Sequence, residues 1–114
     1  MPILDKPLTK KDLLTNFCRI YQSMTKGVAD LESGSIALEA QMHADLEQAL
    51  LNHGSRQQDL WGFNLHPEKT GAEFIEFTSL INVRPSQGNF SIELRDPTLR
   101  EKIRATIRKW VTDA

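Results

Sequence analysis

The stretch SLINVRPSQGN, residues 79–89, starts as an apolar strand and ends as a polar loop, and the fold depends on where the one becomes the other. Just upstream, Ile75, Phe77, Ile81 and Val83 recur at every second or fourth position with Ser79 among them, while Phe74, Glu76, Thr78, Leu80 and Asn82 alternate opposite. Period-two alternation of this kind predicts one long strand through Val83. Pro85 removes a ladder donor and turns the chain out of the sheet. Gly88-Asn89 is turn chemistry. FSIEL, residues 90–94, then returns antiparallel, with Phe90, Ile92 and Leu94 on one face.

The same stretch concentrates hydrogen-bonding side chains. Arg84 carries a planar fork of five donors suited to a carboxylate or phosphate. Asn82, two residues earlier on a strand, projects from the same face. Gln87 and Asn89 can cap the loop or reach a ligand. Asn82, Arg84, Gln87 and Asn89 are therefore the candidate binding residues, for a small anion or an acidic segment of a partner. The competing reading is scaffold: Arg84 buried against an acid such as Glu76, with the amides satisfying local backbone.

Working outward, Trp61, Phe63 and Leu65 alternate with Leu60, Gly62 and Asn64 to predict a strand before Pro67. A helix is expected over about residues 39–53, ending at Gly54, with Met42, Leu46, Ala49, Leu50 and His53 on its apolar stripe. Ser33-Gly34 lies between two short alternating runs and suggests a hairpin pairing Glu32 with Ser35, Leu31 with Ile36 and Ala29 with Leu38. Thr9 and Asp12 resemble a capping box, followed by apolar residues at helical spacing from Leu13 to Met24 and a stop at Gly27. Asp96 as N-cap and Pro97 at the first helical position open a last helix, whose core face is Leu99, Ile103, Thr106, Ile107 and Trp110. The expected fold is α+β in the order α-β-β-α-β-β-β-α: three helices on a mainly antiparallel sheet of four to five strands, residues 1–114 forming one domain.

Other constellations are weaker. Glu39, His43 and Glu47 fall at i+4 spacing with Asp45 nearby, which could serve a metal or general acid–base chemistry. No HExxH is present, and a plain i,i+4 carboxylate–histidine face explains the same spacing. His43 with Asp45 or Glu47, and Arg84 to steady an anionic transition state, is the alternative reading of the chain as a small hydrolase or nuclease. Arg100, Arg104 and Arg108 form an i+4 stripe, yet no aromatic side chains interleave with them for base stacking, so nucleic-acid binding is not expected. Ser79 lies outside any GxSxG elbow, and no glycine belongs to a phosphate loop.

At 114 residues with 39% apolar and 25% charged side chains, the chain can bury one core and is too hydrophobic for disorder. The net charge of −1 gives no global attraction to nucleic acid or anionic membrane. The single cysteine, Cys18, rules out an intrachain disulfide and an all-cysteine zinc site, and reads as a small buried residue. The opening MPILDKPLTKK has no long apolar core or small-residue cleavage site, so neither a signal peptide nor a membrane helix is expected. The expected protein is cytoplasmic and binds no cofactor and no metal.

The segments MHADLEQALL, GSRQQDLWGFNLHPEK and FTSLINVRPSQGN, in this order and spacing, resemble a family of short bacterial proteins of unknown function, frequent in cyanobacteria. The resemblance covers most of the chain. His43, Asp45, Trp61, Asn82, Arg84 and Asn89 coincide with its motif positions. This chain departs from it before His43, where Glu39, Ala40 and Gln41 stand in place of a glycine-rich pair. The resemblance implies a stand-alone cytoplasmic domain and no particular activity. The leading expectation is a non-catalytic binding or regulatory protein, assembled as a homodimer, with Trp61 or Trp110 as core residue or interface anchor.

Overall fold

The computed structural model describes residues 2–114. Four antiparallel strands lie in the order β2-β1-β3-β4: β1 is Thr25–Asp30, β2 Ile36–Leu38, β3 Leu60–Leu65 and β4 Ile75–Glu76. Three helices, α1 (Lys10–Asn16), α2 (His43–Asn52) and α3 (Pro97–Trp110), complete an α+β domain. Strand alternation divides its interior in two. Ala29, Ile36, Leu38, Trp61, Phe63 and Leu65 face the larger core, closed by Leu13 of α1 and by Ile103 and Ile107 of α3. Val28, Ala37 and Leu60 face the opposite way, against Leu46 and Leu50 of α2. The sheet is thus covered on both faces.

β3 is the axis of this arrangement. It pairs with β1 along its full length, from Thr25↔Leu65 to Asp30↔Leu60. On its other side β4 reaches only Asn64 and Leu65. Gly27 lies opposite Phe63, and a Cβ there would stand 2.4 Å from the phenyl ring, so the ring fills the space of a side chain. This is why Gly27 sits inside β1 and is no helix stop.

Several expectations are met in detail. Thr9 and Asp12 form a reciprocal capping box, and Asp96 Oδ1 accepts from the backbone N–H of Thr98 at 2.8 Å, with Pro97 at the first helical position. Ile103, Thr106 and Ile107 are buried along α3, flanked by half-buried Leu99 and Trp110.

Others need correction. α1 stops at Asn16: Gln22 takes a left-handed φ of 61°, and Ile20 and Tyr21 are 44% and 38% exposed, so the expected helical face does not continue beyond Phe17. α2 starts four residues later than expected, with Met42 exposed and His43 buried, because Glu39 has φ 68° and its carboxylate accepts from Arg19 N at 2.8 Å. The hairpin register is Ala29↔Ile36 and Gly27↔Leu38, two residues from the expected pairing. A slip of two keeps each side chain on its face. Its cause is Asp30, whose Oδ1 accepts from Glu32 N at 2.9 Å and Ser33 N at 3.1 Å, widening the turn.

The largest correction concerns the opening stretch. The expected long strand ends at Glu76; a single bridge joins Thr78 to Glu93, and Leu80–Asn82 forms a 3-10 turn capped by the Ser79 hydroxyl. Residues 90–94 form no strand: Leu94 is buried, while Phe90 and Ile92 are 76% and 46% exposed. The sheet therefore has four strands, and the order is α-β-β-α-β-β-α.

Candidate functional site

The polar side chains of residues 82–89 complete β3 where β4 does not reach. Asn82, wholly buried, accepts from Gly62 N at 2.9 Å and donates to Gly62 O at 3.0 Å. A side-chain amide here makes the reciprocal pair that a neighbouring strand would make. Arg84, 8% exposed, spends its fork the same way. Nε donates to Ile81 O at 3.0 Å, Nη1 to Gln57 O at 2.7 Å and Gln87 Oε1 at 3.3 Å, and Nη2 to Leu60 O. Its guanidinium lies 4.5 Å from the Trp61 ring centre. Nη2 is also 3.6 Å from Glu47 Oε2, an ion pair without a hydrogen bond. Burial pushes the guanidinium below its ordinary value and Glu47 pulls it back, yet arginine remains charged at neutral pH.

Asn89 ties the loop shut. Its Nδ2 donates to Asn82 O at 2.8 Å and Ser91 O at 2.9 Å, and its backbone exchanges both hydrogen bonds with Arg84. Gln87 Nε2 donates to Gln58 O at 3.0 Å. Arg84's acid is thus Glu47 of α2, while Glu76 is held by Asn64 Nδ2 at 2.9 Å and His66 Nε2 at 3.2 Å. The α2 helix and the 82–89 loop do meet, through that ion pair, but the contact is buried.

The acidic and basic constellations separate. Glu39 lies outside α2, and Asp45 is exposed, about 200° around the helix from His43 at 100° per residue. No group of three or more His, Cys, Asp or Glu side chains able to hold a metal occurs among the described residues. Arg104 and Arg108 both pair with Glu101, and Arg100 pairs with Glu93. Cys18 is buried, and burial raises its thiol. Trp61 is a core residue, and Trp110 donates from Nε1 to Gly34 O at 2.7 Å. Among the described residues no helix is long and apolar enough to cross a membrane.

A different cluster holds groups without partners. On the α2-facing side of the sheet lies a cleft of about 280 Å³. Its floor is His43, Asn64 and Ser79. Gly62 allows this approach: a Cβ there would stand 2.6 Å from Ser79 Oγ and 3.2 Å from His43 Cδ2. His43 Nε2 donates to Phe63 O at 2.8 Å, and its other ring nitrogen bonds nothing among the described residues. Burial pushes the imidazole below its ordinary value, with the Phe63 carbonyl and the neighbouring Asn64 amide offsetting part, so it is neutral at physiological pH. Asn64, 7% exposed, gives Nδ2 to Glu76 and to Thr78 O, and its Oδ1 is buried with no donor. Leaving such an acceptor unpaired costs roughly 1–3 kcal/mol.

The cleft's wall and rim have separate characters. Lys26, directly across the ladder from Asn64, brings a positive charge that the imidazole feels. Met42 offers the first turn of α2 no side-chain acceptor, and the His43 and Ala44 N–H groups donate to nothing in the described chain. The rim is apolar and bare: Leu80 is 76%, Met42 55% and Ile92 46% exposed. Of these residues only His43 was a sequence candidate. Leu60-Gly62-Asn64 was the available signal, since a glycine followed by an amide on one face of a buried strand marks a close approach.

Fold and internal bonding define a small α+β domain whose two-sided sheet is completed partly by side chains. The chain belongs to a family of proteins of unknown function, DUF5674, whose sequence profile matches residues 2–110. No curated protein and no solved structure matches it.

Proposed function

We propose that this domain is a non-catalytic binding module that takes its ligand in the cleft between the start of α2 and the Thr78–Ile81 segment. The observation that carries this reading is the buried, unpaired Asn64 Oδ1 beside an exposed apolar rim. Convergent polar groups within apolar walls are what a ligand site requires. Binding of an anion at Asn82, Arg84 and Asn89 finds less support, because their donors are directed at chain carbonyls. Hydrolysis by His43 finds less support too. Its Nε2 is given to Phe63, Asp45 lies on another face, and Glu47 is directed at Arg84.

The test is a nuclear magnetic resonance titration of the labelled full chain with small amides, alcohols and carboxylates bearing an isobutyl group. Shifts clustered on Met42, Ala44, Leu80 and Ile92 are expected. Shifts scattered over the surface, or none, would end the reading.

A homodimer closed over the neighbouring surface is a second reading, favoured by the 76% exposure of Phe90. Exposed aromatic side chains of this kind anchor interfaces. Sedimentation over a concentration range, with Phe90→Ser as control, decides it: a monomer at every concentration sinks the dimer.

A further inference from the structure

Resting on the binding reading above, we infer that the cleft's ligand is a carboxylate with a neighbouring N–H and an aliphatic side chain. That is the chemistry of a free apolar α-amino acid or of the C-terminal residue of a peptide.

Three features converge on this class. An anion is favoured at the start of α2, a ten-residue helix with Asp45 in its first turn but no side-chain cap, where the His43 and Ala44 N–H groups are unbonded. A helix N-terminus with free N–H groups is a ready site for an anion. Lys26, lining the same cleft, adds a full positive charge. A hydrogen-bond donor is called for by Asn64. Strand alternation sets it on the Gly62 side, against α2. With Nδ2 turned to Glu76 and Thr78, Oδ1 is left buried beside the His43 imidazole with no donor in hydrogen-bonding geometry. A carboxylate alone supplies no donor, whereas an amine or amide next to it does. An apolar group is called for by the rim of Met42, Leu80 and Ile92, and the volume of about 280 Å³ suits one residue, not an extended peptide.

The experiment titrates the full chain with four compounds: N-acetyl-L-leucine, N-acetyl-L-leucinamide, 4-methylpentanoate and L-leucine. N-acetyl-L-leucine or L-leucine is expected to bind at least tenfold more tightly than the leucinamide, which lacks the charge, and than 4-methylpentanoate, which lacks the N–H. Preference for L-leucine identifies a free amino acid, and preference for the acetylated form a peptide terminus. Lys26→Met, which keeps the aliphatic stem, should weaken the acid several-fold and leave the leucinamide unchanged. If the leucinamide or 4-methylpentanoate binds the cleft as well as both acids bearing an N–H, this inference is overturned while the binding reading stands. If no compound shifts the cleft amides, both fall.

Discussion

The 82–89 loop and the cleft beside it adjoin the same Ser79–Ile81 segment and draw on the same kinds of side chain, but they differ in one respect. In the loop, Asn82, Arg84 and Asn89 direct nearly every donor at a backbone carbonyl. In the cleft, Asn64 Oδ1, a ring nitrogen of His43 and two helix N–H groups bond nothing among the described residues. A cluster of polar residues is therefore a poor guide to a site until its bonds are counted. Saturated groups hold the protein together, and unsaturated ones are free to hold something else.

The comparison can be broken most directly at Arg84. Arg84→Ala strands Glu47 and removes the donor from three carbonyls, and a loss of about 3–5 kcal/mol in urea unfolding is expected. Arg84→Lys should recover little of it, since an ammonium cannot reproduce the planar fork. If either variant unfolds at the wild-type midpoint, the loop is not scaffold.

Gly62→Ala sharpens the contrast, because its Cβ would strike Ser79 at 2.6 Å on the cleft floor. A loss of about 1–3 kcal/mol is expected, with the cleft distorted and the loop's bonds to the Gly62 backbone strained. Wild-type stability together with an unchanged spectrum around His43 would contradict this packing.

How much of this could be read from the chain follows from where the partners lie. Elements defined by neighbours in sequence were legible: the Thr9–Asp12 box, the Asp96-Pro97 start of α3, and the alternation of β3. Arg84's partners were not, because they are the carbonyls of Gln57 and Leu60 and the acid of Glu47, where the scaffold reading had named Glu76. A carbonyl looks the same on every residue, so no pattern announces it. The hairpin slipped by two because Asp30's side-chain bonds outweighed the Ser33-Gly34 turn signal. Where the long strand was expected, the side chain of Asn82, and not a continued ladder, takes both backbone groups of Gly62. In the cleft, His43 was visible by type, whereas Asn64's unpaired oxygen exists only once Glu76 and Thr78 are in place.

Acid titration separates the two kinds of buried group further. His43 has its pKa lowered from 6.5 chiefly by burial, so the unfolded chain takes up the proton first. Stability is then full above that value and falls as pH drops toward the folded pKa. Asp30 is lowered from 3.8 even though burial pushes it up, because the Ser55 hydroxyl and the Ser33 and Glu32 amides outweigh that, and it acts in the same direction at lower pH. Urea midpoints between about pH 8 and about pH 5 should decline in the wild type and stay flat in His43→Gln. An equal decline in both would mean that the imidazole is not the group responsible.

The smallest effect is expected at the rim. Leu80→Ser, at a position 76% exposed, should change stability by no more than about 0.5 kcal/mol while weakening any ligand that uses the cleft. A large loss of stability would show that the rim is already packed.

Asn82's double bond to Gly62 also bears on how the chain avoids its own kind. β3 is rich in apolar residues, and beyond the reach of β4 its outer edge would be an open template for strand addition. Asn82 and Arg84 close that template, as the bridge from Ile3 to Ala37 helps cover the far edge at β2. During synthesis β3 emerges well before residues 82–84 do. In that interval a newly made chain is open to pairing with another, and slow arrival of the 79–89 segment would be felt as aggregation before it was felt as lost stability.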